Sequence, residues 1–172
     1  MTIRAATSDD AAALSEFAGR LFRDTFEHDN TQSDMEQYVA RAFGEEIQRA
    51  EIADSRRMIL LSVYGGAITG YAQLLAGSAP AGLAMVTPVV ELERFYVAQE
   101  WHGRGLAQRL IARAIEVASQ SGAATLWLAV WERNPRAIAF YRKSGFVDVG
   151  SKPFVLGSDR QTDRVMSQLL RD

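Results

Sequence analysis

Two glycines interrupt the run Trp101-His102-Gly103-Arg104-Gly105-Leu106-Ala107, and the residues after them have helical spacing. Leu106, Leu110, Ala114 and Ala118 recur every four residues, on one helix face. The preceding Phe95-Tyr96-Val97 reads as a buried strand. Where strand turns into helix, glycines let the backbone approach a ligand closely, and the first helical N–H groups lack partners within the helix. Those donors and the positive end of the helix dipole form a site for phosphate. Arg104 and Arg109 add positive charge beside it. A plain strand-to-helix turn accounts for the same residues. A dinucleotide-binding loop fits less well, because its third glycine is replaced by Gln108.

Glu91 and Glu93 lie in the same strand, and a period of two puts both on one face with Phe95 and Val97. Carboxylates in a buried strand are costly unless they pair with a cation or serve a site. Both outcomes stay open, with an arginine on the sheet as the cation in the first. Tyr141, beside Phe140, is either a core aromatic or a proton donor. Trp131, where an apolar run ends, either lines a cleft or is an ordinary buried tryptophan. The chain has no cysteine and two distant histidines, so neither a thiolate nucleophile nor a metal site is expected.

Several elements must position these residues. A short edge strand over 3–6 precedes a helix over about 12–22, capped from 7–10. Helices come next at about 33–43 and 45–53, then a hairpin of strands 58–64 and 67–75 turning at Gly65-Gly66. After a loop over 76–84 come the strand and helix already described, ending at Gly122, and a buried strand over 125–130. Asn134 caps the next helix, with Pro135 in its first turn and Gly145 just past its end. Strands over 146–153 and 164–170 close the chain. Strand, helix and strand over 86–144 make a parallel βαβ core, so the class is mixed α/β, a mixed sheet with helices on both faces.

The pattern His102-x-x-Gly105-x-Ala107 resembles the acetyl-coenzyme A loop of the GNAT superfamily of N-acetyltransferases, with His where Arg or Gln is usual. The segment from Asn134 to Phe146 is similar to the superfamily's Asn-x-x-Ala-x-x-x-Tyr-x-x-x-Gly-Phe stretch at every named position. The resemblance implies a GNAT-like fold, a single N-acetyltransferase domain over 1–172, and acetyl-coenzyme A as co-substrate. It implies cofactor contacts from His102, Gly103, Arg104, Gly105, Leu106, Ala107 and Gln108, from the backbone of Phe95, Tyr96 and Val97 to the pantetheine arm, and from Asn134 and Lys143. Tyr141 is implied as the acid that protonates the departing thiolate. Glu93 is implied as the group that binds the ammonium or accepts its proton; from their places in the strands, Glu91 and Trp131 are expected beside the acceptor. The tail over 154–166 is similar to the closing segment of bacterial spermidine/spermine N-acetyltransferases of the Pai type, which implies a polyamine acceptor. A protein N-terminus, an aminoglycoside, or a non-catalytic acyl-coenzyme A-binding module are the competing expectations.

Acetyl transfer to an amine needs a polarised thioester, a deprotonated amine and a proton for the thiolate. An amine of pKa about 10.4 is protonated at neutral pH, so a base is required. With no cysteine and no Ser–His arrangement, direct attack in a ternary complex is expected rather than a covalent acyl-enzyme. Bulk properties agree with a soluble domain: 172 residues, 48% hydrophobic and 23% charged, suffice for a full core. No signal-peptide pattern or membrane-length apolar run is visible, so a cytoplasmic protein, monomer or homodimer, is expected. Residues 24–54 hold nine acidic side chains against two arginines, and 94–143 hold eight basic against three acidic. These are either two solvated surfaces or an acidic side for a cationic substrate opposite a basic side for an anionic cofactor. Interleaving of the basic residues with a buried helix pattern, at a net charge of −2, argues against nucleic acid.

Overall fold

The structure, a computed structural model, describes residues 1–26, 31–156 and 159–170. In order the elements are β1 (Thr2–Ala5), α1 (Ala11–Phe26), α2 (Gln32–Phe43), α3 (Glu45–Ala53), β2 (Arg57–Tyr64), β3 (Ala67–Ala76) and β4 (Val89–Val97). They continue with α4 (Leu106–Gln120), β5 (Thr125–Trp131), α5 (Pro135–Lys143), β6 (Val147–Leu156) and β7 (Asp159–Leu169). The closing pair is longer than the sequence pattern indicates. Polar residues that do not read as strand, such as Gln161 and Thr162, find cross-strand partners in Phe154 and Pro153. No helix among the described residues is long and apolar enough to cross a membrane.

The seven strands form one sheet in the order β1-β2-β3-β4-β5-β7-β6. The β4–β5 pair is parallel and its neighbours are antiparallel. Helix α4 supplies the crossover, and its stripe of Leu110, Ile111, Ala114 and Ala118 packs on Leu60, Ala72, Leu74, Val90, Leu92 and Leu128. The other face is covered by α1 and α2, whose Leu14, Phe17, Phe22, Val39 and Phe43 meet Ile59, Leu61 and Tyr71. The mixed sheet with helices on both faces is therefore present.

Two irregularities in β4 build the site. Pairing between β4 and β5 covers only Val89, Val90 and Glu91, opposite Thr125, Leu126 and Trp127. Beyond Glu91 the strands part, and β5 is paired along its length with β7 alone. The second irregularity is a bulge. Gln73 of β3 faces Arg94 and Leu74 faces Leu92, which leaves Glu93 without a cross-strand partner. An extra residue reverses the alternation, so Val90 and Leu92 before the bulge and Phe95 and Val97 after it all pack toward α4. The expectation that Glu91 and Glu93 share a face with Phe95 and Val97 is thereby corrected. A strict period of two holds only while the ladder is regular.

Candidate active site

The parted strands leave the β4 edge open on the side of β5. The Ala98 N–H donates to Thr69 O on β3 at 3.0 Å, so by alternation Phe95 and Val97 turn their backbone groups toward the opening, whereas Tyr96, expected with them, turns its own to Tyr71 of β3. An extended ligand arm can add there as a strand does. His102 closes one position, since its Nε2 lies 2.9 Å from Val97 O. The histidine thus ties the loop to the end of β4, and its ring has a protein partner at the place where the resemblance implies a cofactor contact.

Just beyond, Gly105 is the N-cap of α4 at φ 76°, and no side chain caps the helix. Gly103 is also left-handed at φ 74°, and a Cβ on either glycine would meet nothing within 4 Å. The first amides of α4, from Leu106 to Gln108, therefore end in a clear space at the positive pole of a 15-residue helix. That arrangement fits a pyrophosphate. Arg104 is exposed and lies with its Cζ 5.6 Å over the Trp101 ring, at the rim of this space. Arg109, Gln108 and Lys143, the last in the final turn of α5, stand at the surface as well.

Helix α5 starts as its sequence indicates. Asn134 Oδ1 accepts from Ala137 N at 3.0 Å, and Pro135 occupies the first turn. Tyr141, in the second turn, is 8% exposed. Its ring packs edge-on to Phe95 at 6.2 Å, Phe140 at 5.3 Å and Phe146 at 5.8 Å. Burial, with Tyr96 nearby, pushes its phenol well above the ordinary tyrosine range. Its hydroxyl makes no hydrogen bond among the described residues and remains a proton donor.

The two strand carboxylates go to protein partners. Glu93, at the bulge, lies 3.3 Å from Arg57 Nε and accepts from Gln73 Nε2 at 3.1 Å. The cation of the sequence alternative is thus Arg57. Glu91 accepts from Ser78 Oγ at 2.5 Å and sits 3.9 Å from Lys152 Nζ, at the last paired position before the strands part. Burial raises its pKa, against the pull of Ser78 and Lys152. No hydrogen bond or ring contact joins either carboxylate to Tyr141 among the described residues. Part of the acidic tract is also committed: Glu45 to Arg49, Glu51 to Arg94, and Asp54 to Arg56 and Arg57. Positions 27–30 of that tract lie outside the described residues.

On the face of the sheet away from α4 stands one group that carries no sequence signal. Asp163 of β7 is the Cα partner of Trp131 on β5 and of Lys152 on β6, and is 9% exposed. Burial raises its pKa despite Lys152. Tyr38 of α2 packs edge-on to Phe154 of β6 at 6.4 Å, closing the side of the same region. A lone aspartate in a polar strand looks ordinary, and only its burial singles it out.

The sequence model of the Acetyltransferase (GNAT) family matches residues 17–146. The chain belongs to the GNAT family of acetyltransferases. An uncharacterised N-acetyltransferase of Lactobacillus delbrueckii subsp. lactis is 33% identical over 155 residues, covering 87% of this chain and 86% of that protein. An uncharacterised N-acetyltransferase of Mycobacterium tuberculosis is 36% identical over 115 residues, covering 67% of this chain and 69% of its own. Among solved structures, the PaiA N-acetyltransferase of Thermoplasma acidophilum, in complex with coenzyme A, superposes with a TM-score of 0.79. It covers 98% of this chain and 99% of its own at 20% identity, a likeness of fold. This GNAT protein is an acetyl-coenzyme A-dependent N-acetyltransferase. The open β4 edge and the uncapped end of α4 suit that co-substrate.

Proposed function

We propose that this enzyme acetylates a primary amine of a small cationic acceptor, a polyamine foremost, by direct attack in a ternary complex. One observation carries the reading: the opening between β4 and β5 is electrostatically two-sided. Toward α4 it ends in a bare helix N-terminus with Arg104 and Arg109 nearby, suited to an anionic donor. On the opposite face stand Glu93, held by Arg57 and Gln73, and Asp163 beside Trp131 with Tyr38 and Phe154 closing the side, suited to an ammonium. The likeness of the tail to Pai-type spermidine/spermine acetyltransferases supports the same choice.

Acetyl-coenzyme A supplies an acetyl group activated as a thioester. Backbone groups of Phe95 and Val97 align its arm, and the amides of residues 103–108 hold its phosphates. Glu93, oriented by Arg57 and Gln73, takes the proton of the amine directly or through water. Tyr141 keeps a proton on Oη for the departing sulfur. Desolvation that raises the phenol also raises the basicity of a thiolate in the same site, so proton transfer between them stays feasible.

Release of coenzyme A thiol tests the reading with spermidine, spermine, a neutral-tailed primary amine of equal length, an aminoglycoside and a peptide N-terminus. The polyamines are expected to give the highest kcat/KM, with an advantage that shrinks as salt is raised. A neutral-tailed amine that performs equally well at low salt would exclude the polyamine reading and leave the other amines.

A further inference from the structure

Asp163 is a carboxylate that the steps of acetyl transfer leave idle. Although nine-tenths buried, it makes no hydrogen bond and no ion pair among the described residues. Its cross-strand neighbour Lys152 turns instead to Glu91 at 3.9 Å and over the Trp127 ring at 5.3 Å. At 9% exposure Asp163 keeps a narrow opening to solvent. A carboxylate buried to this degree without a partner is destabilising unless it serves a site.

Its surroundings define what it is suited to receive. Directly opposed residues of an antiparallel pair project to the same side, which puts Asp163 beside Trp131. Across from them Tyr38 and Phe154 meet edge-on, and the phenol of Tyr38 responds to the charge of Asp163. One carboxylate among three aromatic side chains complements an alkylammonium, through ionic hydrogen bonds and cation–π attraction. Of the other cations nearby, Arg94 is committed to Glu51 at 2.6 Å and Arg41 lies with its Cζ 5.9 Å over the Tyr38 ring.

We propose that Asp163, walled by Trp131, Tyr38 and Phe154, receives a second ammonium group of the acceptor, the one that is not acetylated. It thereby selects diamines and polyamines over monoamines. This rests on the amine-acceptor function proposed for the enzyme and adds where the distal charge binds. The reacting nitrogen must sit at the thioester beside Tyr141. Tyr141 packs on Phe95 on the α4 side of the sheet, whereas Asp163 stands on the other face, opposite Trp131 at the end of β5. An acceptor that meets both must therefore carry its second ammonium on a spacer.

The test compares wild type with Asp163→Asn, which keeps shape and removes charge. The readout is the ratio of kcat/KM for spermidine to that for a monoamine of equal length. In the variant the ratio is expected to fall roughly 10–100-fold, mainly through KM for spermidine, the scale of one charged hydrogen bond. A purely structural role would shift the melting temperature and leave the ratio in place, which overturns the assignment. A wild-type ratio near one would instead remove the polyamine reading, and the proposal with it. A chain-length series of α,ω-diamines on wild type needs no variant. A fixed carboxylate demands an optimum spacer, and a flat profile overturns the proposal.

Discussion

Replacing Tyr141 by Phe removes one oxygen and leaves the ring. The three edge-on contacts to Phe95, Phe140 and Phe146 at 5.3–6.2 Å are unaffected. Because the hydroxyl has no hydrogen-bond partner among the described residues, no protein interaction is lost. The folded state should therefore keep its stability. Affinity for coenzyme A should also hold, since the phosphates and the arm are gripped elsewhere. The whole effect is expected in kcat. Loss of a general acid costs roughly 10²–10⁴ in rate, or about 2.7–5.4 kcal/mol in the barrier. The assay is thiol release under saturating substrates, with a urea melt and calorimetry on coenzyme A in parallel. A kcat within about threefold of wild type, when chemistry limits the rate, would return Tyr141 to the core as an ordinary aromatic.

Gly105→Glu tests the phosphate cradle, since the space around its Cβ is empty but its φ of 76° strains any side chain by about 1–2 kcal/mol. The carboxylate would occupy the positive end of α4, so coenzyme A affinity measured by calorimetry should fall by more than about 100-fold. Gly105→Ala carries the strain without the charge and should retain most of it; near-normal affinity for Gly105→Glu would end the loop assignment. In the partly buried network under α3, Arg94 donates to Glu51 Oε2 at 2.6 Å and to Ala42 O at 3.2 Å, and lies 4.8 Å over the Phe43 ring. Arg94→Met strands the Glu51 carboxylate and should cost roughly 3–5 kcal/mol in a urea titration, toward the lower figure because Arg57 Nε remains 4.0 Å away. Adding Glu51→Gln should restore most of the loss, and a single-variant cost under about 1 kcal/mol would show that the pair contributes little.

Features that depend on neighbours along the chain are readable without the fold. The stripe from Leu106 to Ala118, the glycines that leave α4 bare, and the Asn134-Pro135 start of α5 are local patterns, and the structure contains each of them. Backbone geometry at such places follows from a few consecutive residues, so the loop and the two signature segments were legible. The carboxylates were not. Glu93 is turned by a bulge whose position is set by β3, and its cation, Arg57, is 36 residues away. Arg94 reaches Glu51 across 43 residues, and Glu91 is held by Ser78 and Lys152 from two different segments. Asp163 is one polar residue among several in β7 until the sheet sets it against Trp131 and Lys152. Periodicity tells which residues can share a face, but register, burial and charge pairing are properties of the assembled sheet. A single extra residue in β4 exchanges the faces, and only the partner strand decides where that residue falls.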